Sequence, residues 1–217
     1  MTKESPLGKL IASLQKKISM GDLNKTAIAD TTKELAKLGY QYNEINFPPL
    51  AGTEDFSNNS ADSPKNLAEA LLWKLGKWKA YKMFCENYAA DNPEPTQTDV
   101  VFYAFAMHLR DNNNPIYDQH AIRSLWAICG KLTADEKQNC KTLLFNMNNE
   151  WKQSGAGNNA IDCYSFFVRH VNDLVSVHEG ASKPELDRLL MPLGQAIKKA
   201  TKTYAEFSAL CGWTSCG

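Results

Sequence analysis

The stretch Asn114-Pro115-Ile116-Tyr117-Asp118-Gln119-His120-Ala121-Ile122-Arg123-Ser124-Leu125-Trp126-Ala127 organises the chain. Pro115 ends any helix before it, because its ring removes a backbone N–H and turns Asn114 away from helical angles. Apolar residues then recur at Ala121, Ile122, Leu125, Trp126 and Cys129, the spacing of one helical face. Asp118 falls just ahead of that face. There a carboxylate caps free N–H groups and is favoured by the helix dipole. Taken alone, Asp118 is an N-cap.

Working outward, helical signals dominate on both sides. Ser5-Pro6 starts a helix with Leu7, Leu10, Ile11, Leu14 and Ile18 on one face, and Gly21 breaks it. A second helix is expected over 22–38, with Gly39 as its stop. From 40 to 63 the composition turns to Asn, Pro, Gly, Ser and Asp without a period, the longest loop and the expected boundary between two subdomains. The division is therefore 1–62, a helical pair plus loop, and 63–217, a helical core. Ser63-Pro64 repeats the Ser-Pro start, and one helix is expected from there to Tyr88, across Gly76.

That helix carries Trp73 and Trp78 among Lys74, Lys77, Lys79 and Lys82, the most basic local stretch. Cations interleaved with aromatics suit phosphates and stacked bases, and equally describe an amphipathic helix with a solvated lysine face. Asn92-Pro93-Glu94-Pro95 is a break, after which Thr96 or Thr98 is expected to cap a helix burying Val101, Phe102, Phe105, Ala106 and Leu109. Beyond Gly130, Thr133 to Glu136 reads as a capping box opening a helix to about Trp151. Ile161 to Val175, a capped start at Ser182-Lys183-Pro184-Glu185, and 204–210 complete the helices. No strand pair and no repeat is visible, so the expected class is all-α, a multi-helix bundle of two helical subdomains.

Composition sets outer bounds. There are 24 basic and 24 acidic residues, so no global charge advertises nucleic acid as a partner. A hydrophobic content of 43% with five Trp, nine Phe and eight Tyr argues for a packed core and against disorder. The six cysteines lack a CxxC pair, so reduced thiols in a cytoplasmic protein are expected, with Cys129 and Cys163 as small core residues. No apolar run approaches the ~20 residues of a membrane span. His108, His120, His170 and His178 lack HExxH or paired-ligand spacing, so no metal or other cofactor is expected. Phosphate-binding loops, dinucleotide fingerprints and nucleophile elbows are absent too.

The run Asp118-Gln119-His120-Ala121-Ile122-Arg123, approached through Pro115-Ile116-Tyr117, resembles a segment of the helix-hairpin-helix DNA glycosylases, the superfamily of endonuclease III and 8-oxoguanine glycosylases. In that pattern a catalytic Asp is followed by a variable residue, His, an aliphatic residue, any residue and often Arg. The resemblance covers residues 64–130, with a weak echo at Leu189-Leu190-Met191-Pro192-Leu193-Gly194. It implies a glycosylase-like helical fold, double-stranded DNA with an extruded base as partner, and Asp118 as the central carboxylate.

Two features depart from the family pattern. The hairpin's glycine-rich turn is replaced by Pro93-Glu94-Pro95-Thr96-Gln97-Thr98, although the helix start near Thr98 retains N–H groups for one phosphate. The lysine of bifunctional members falls at Val100, between Asp99 and Val101. The resemblance therefore implies a monofunctional enzyme that attacks with water.

Hydrolysis of an N-glycosidic bond builds positive charge on deoxyribose, which a carboxylate in a dry pocket stabilises. Tyr117, Trp73, Trp78 and Trp126 are the aromatics expected beside such a pocket, and each also fits a core position. Gln119 is expected beside the ligand, and Lys74 and Lys77 against phosphates. His120 is expected either to orient Asp118 or to be structural, and Arg123 to pair a carboxylate or phosphate. Oxidative damage and a modified base in invading DNA both suit the chemistry. The alternative is a catalytically inactive helical module that binds another protein or DNA, favoured by the zero net charge and the missing glycine turn and lysine.

Overall fold

A computed structural model describes residues 4–42, 67–153 and 157–213. Ten α-helices and no strands occur among them: α1 (Pro6–Met20), α2 (Lys25–Lys37), α3 (Leu67–Lys74), α4 (Trp78–Ala89), α5 (Val100–Arg110), α6 (Gln119–Ile128), α7 (Ala134–Leu144), α8 (Ala160–Val177), α9 (Lys183–Ala200) and α10 (Tyr204–Leu210). The chain is an all-α multi-helix bundle. The longest expected loop, the 62/63 boundary and the Ser63-Pro64 start lie largely or wholly outside the described residues. Leu7, Ile11 and Leu14 of α1 share one core with Ile122 and Leu125 of α6 and Leu189 and Leu193 of α9.

Helix α6 is the centre. The one-sided face expected for it is only part of its burial, because every residue from Ala121 to Ile128 is buried. A helix buried all round belongs inside a bundle. It packs on α9 most extensively and also on α1, α7 and α8. Burying Ile122, Leu125 and Trp126 contributes about 1.5–3 kcal/mol each relative to exposure. Gln15 of α1 ties its C-terminal end, its Nε2 donating to Ala127 O at 2.8 Å and Cys211 O at 3.1 Å.

The α6–α9 crossing depends on Gly194. A Cβ there would lie 2.2 Å from the His120 carbonyl oxygen and 2.6 Å from its carbonyl carbon and Cα. Beside it, Ser124 Oγ donates to Leu190 O at 2.6 Å, deep in the contact. The two backbones thus approach as closely as only glycine allows.

Several helix ends follow the sequence signals. Ser5 accepts from Gly8 N, and Gly21 takes the left-handed conformation (φ 78°) that closes α1. Capping boxes at Thr133 and Ser182 open α7 and α9. Other boundaries differ. The helix expected across Gly76 is two helices, because Gly76 adopts φ +68° and ends α3. Lys74 and Lys77 therefore flank a break and do not share a helical face. Helix α5 is preceded by Asp99, not by a capping Thr98, and it buries Val100, Ala104 and Ala106 while Phe105 is 39% exposed.

Helix α7 ends at Leu144, short of Trp151. Asn146 Oδ1 accepts from Asn148 N and Glu150 N, folding an asparagine-rich turn with Asn149 at φ 56°. An isolated antiparallel bridge joins Phe145 to Trp151 across it. This turn carries Trp151 back over the bundle, where Nε1 donates to Thr201 O at 2.8 Å. No helix among the described residues is long and apolar enough to cross a membrane.

Candidate functional site

Helices α5 and α6 begin beside one another, and an open cleft of about 410 Å³ lies between their N-terminal ends. Gln97, Thr98, Val100, Val101 and Phe102 form one wall; Asp118, Gln119 and His120 form the other; Gln153 and Lys198 of α9 complete it. That volume falls within the roughly 300–1,000 Å³ of small-molecule sites.

Asp118 sits here because it ends the extended segment after Pro115 and caps α6. Its Oδ1 accepts from His120 N at 2.7 Å and Ala121 N at 2.8 Å. Among the described residues Oδ2 has no hydrogen-bond partner, so one oxygen holds the helix start and the other is uncommitted. The approach to Asp118 is anchored from α9, where Asp187 accepts from Ile116 N at 3.2 and 3.3 Å. Asp187 is 3% exposed, and burial pushes its carboxyl up to about 7, with the Ile116 hydrogen bond opposing and the nearby Asp118 charge reinforcing the rise.

Arg123 lies behind His120, outside the lining of the cleft. Arg123 is fully buried; its Nη1 lies 3.1 Å from His120 Nδ1 and donates to Gly194 O at 3.3 Å. Its guanidinium carbon lies 4.3 Å from the centre of the Trp151 ring. Nε and Nη2 are buried without partners. Burial lowers Arg123 to about 10, so it remains a cation at neutral pH. Burial also lowers His120, as does Arg123, while Asp118 and the Gly194 backbone pull the other way.

Of the residues singled out from sequence, Thr98, Asp118, Gln119 and His120 line the cleft. Tyr117 does not: it is 3% exposed and packs edge-on against Tyr164 and Phe167, both at 5.2 Å. Trp126 is also a core residue, 4.9 Å from Phe207. Trp73 stands 58% exposed on α3 and Trp78 begins α4 against Tyr81; neither lines the cleft, nor do Lys74 and Lys77. Arg123 is too deep to meet a phosphate, and pairs with His120 and Gly194 instead. The phosphate position expected near Thr98 is crowded by the Asp99 carboxylate, which accepts from Thr96 N at 2.6 Å.

The cleft's aromatic is Phe102 and its cation is Lys198, neither of which sequence reasoning placed there. Gln97 was also missed. Its Oε1 accepts from Ile161 N at 3.0 Å, which leaves its amide NH₂ as the free half. Among the described residues no group of His, Cys, Asp and Glu could hold a metal ion.

A second polar cluster has a buried centre and one exposed arm, Arg169. His170 Nε2 lies 3.1 Å from Glu136 Oε2 and its Nδ1 3.8 Å from Cys129 Sγ, with Arg169 paired to the other Glu136 oxygen. All three of Cys129, Glu136 and His170 are buried, and none lines the cleft.

No protein-family model, no curated protein and no solved structure matches this chain.

Proposed function

We propose that the protein is a monofunctional DNA glycosylase of the helix-hairpin-helix type, which hydrolyses the N-glycosidic bond of a damaged or modified base turned out of duplex DNA into the α5–α6 cleft. The observation that carries this reading is Asp118: it lines an open cleft with one carboxylate oxygen uncommitted. The wall facing it includes Val100 and Val101, where the family pattern would place the start of its second hairpin helix and, in bifunctional members, a lysine. Phe102 supplies a ring to pack on a base, and Lys198 a cation for the DNA backbone.

In the proposed reaction, water oxygen bonds to C1′ as the C1′–N bond breaks. The base leaves with that electron pair and takes a proton from solvent, while Asp118 offsets the sugar's positive charge, accepts one proton of the attacking water and returns it to solvent after the base has left. Val100 and Val101 offer no amine where bifunctional members carry their lysine, and in this reading Lys198 meets the DNA backbone and does not attack C1′, so the product is an abasic site with an intact strand.

The test is incubation with duplexes carrying a panel of modified bases, followed by alkali to cleave abasic sites. Strand cleavage only after alkali supports the reading; no release from any duplex counts against it.

A second reading, a non-catalytic interaction module, is favoured by the apolar exposure of α3 and the residue after it: Leu67, Leu71, Trp73 and then Leu75 are all more than half exposed. The two separate in a titration of DNA binding against salt. Phosphate contacts give a steep negative slope, and a flat slope or no binding favours the module.

A further inference from the structure

Behind the cleft wall, Arg123 contacts His120, and the chemistry of that contact is asymmetric. A guanidinium has N–H donors only and no acceptor. The 3.1 Å contact from Arg123 Nη1 is therefore a hydrogen bond only when His120 Nδ1 carries no proton. The same Nη1 is held by Gly194 O at 3.3 Å, and the guanidinium lies on the Trp151 face at 4.3 Å, so Arg123 has little room to turn away. Protonating Nδ1 would bring two cationic groups into contact in a site where Arg123 is fully buried.

We propose that Arg123 is a positioning residue that holds His120 as a neutral imidazole with Nδ1 bare and inward, so that its Nε2–H is offered to the cleft as a fixed hydrogen-bond donor. The ligand must then present an acceptor there, a carbonyl oxygen or an unprotonated ring nitrogen of the base. As the glycosidic bond breaks and electron density moves onto the departing base, that donor bonds more strongly, and stabilisation aimed at developing charge is what speeds the step. Gln97 adds a second donor in the opposite wall, its amide oxygen being occupied by Ile161 N. The charged groups acting on His120 are Asp118 before α6, Arg123 within α6 and Lys198 on α9; Gln97 and Thr98, facing it from the start of α5, do not titrate. Burial, Arg123 and Lys198 outweigh Asp118 and the Gly194 carbonyl, both of which favour a protonated ring.

The tautomer part of this inference does not depend on the proposed reaction, and its test is made on the protein alone. Long-range ¹H–¹⁵N correlation of the imidazoles, with His120 assigned by its loss in His120→Gln, reports which nitrogen bears the proton. The expected wild-type pattern is the Nε2–H tautomer from about pH 6 to about pH 8, with His120 titrating below the ordinary histidine range. In Arg123→Met, which removes a buried charge without opening a large void, His120 should titrate higher and populate both tautomers. A wild-type His120 protonated at Nδ1, or an Arg123→Met spectrum unchanged at His120, overturns the proposal. If Arg123→Met does not fold, the wild-type spectrum alone still decides it.

The donor role rests on the proposed glycosylase reading. It is read from base release on whichever duplex the panel identifies. His120→Leu should lose about 100-fold, while His120→Gln, which keeps an N–H donor, should recover most of it. Equal loss in both variants removes the donor role without touching the tautomer result, and absence of all release in the wild type points to failure of the glycosylase reading.

Discussion

Replacing Gly194 with alanine probes the contact on which the cleft is built. The added methyl would sit 2.2 Å from the His120 carbonyl oxygen and 2.6 Å from two further backbone atoms, against an ordinary contact of 3.4 Å or more. All three atoms belong to the backbone of α6, so no side chain can rotate out of the way, and α6 and α9 must separate by roughly 1 Å. Overpacking of this kind costs typically about 1–3 kcal/mol. Separation also stretches the Ser124–Leu190 bond of 2.6 Å and the Arg123–Gly194 bond of 3.3 Å, and weakening buried hydrogen bonds adds about 1–3 kcal/mol. Together these give about 2–6 kcal/mol, a fall in Tm of about 4–24 °C for a chain of this size. Urea unfolding followed by far-ultraviolet circular dichroism measures it. A change within about 0.5 kcal/mol would refute the close-crossing argument, and with it the placing of His120 over Gly194.

Asp187 has a folded-state pKa near 7, above its ordinary 3.8, so the folded protein holds its proton more tightly and stability falls as pH rises between those values. Asp187→Asn should therefore be less sensitive to pH, and its urea midpoint should overtake wild type by about pH 8; parallel profiles would contradict this. Glu136 is lowered despite its burial, through hydrogen bonds from Thr133 and His170 and the charges of His170 and Arg169, so its contribution is lost as pH falls. His170 is raised, through Cys129 first and then Glu136, so its contribution is lost as pH rises. The stability gap between wild type and Glu136→Gln should be widest between about pH 5 and about pH 6.5, seen by thermal melts across that range. Asp118→Ala should lose about 1 kcal/mol of stability from the uncapped α6, and Asp118→Asn much less, because asparagine caps as well as aspartate. Equal melting of the two variants would show that the cap is not what holds the helix start.

How far the sequence disclosed this arrangement depended on whether the signal was local. Ser5, Thr133 and Ser182 act on backbone within four residues, and their helices start where the pattern says. Asp118 and His120 were legible for the same reason, since a proline break followed by a cap leaves little freedom. Gly76 was not, because Leu71, Leu72, Leu75 and Trp78 keep helical spacing straight through it while its backbone turns left-handed. The pattern carries α7 on to Trp151, whereas the turn from Asn146 ends the helix early and delivers that ring to Arg123. Lys198 and Phe102 reach the cleft only through the packing of α9 and α5, a tertiary fact with no trace in their own neighbours. Conversely, tryptophans among lysines on α3 and α4 suited a nucleic-acid surface by composition, yet none of them lines the cleft.

The most direct test of the account compares wild type with Asp118→Asn under single turnover on the duplex from which wild type releases base fastest. The substitution keeps the cap and the shape of the cleft while removing the charge. Base release should fall by at least about 100-fold with duplex affinity and melting temperature nearly unchanged. Release by Asp118→Asn at the wild-type rate would contradict the central claim, that the uncommitted oxygen of Asp118 is what the cleft works with.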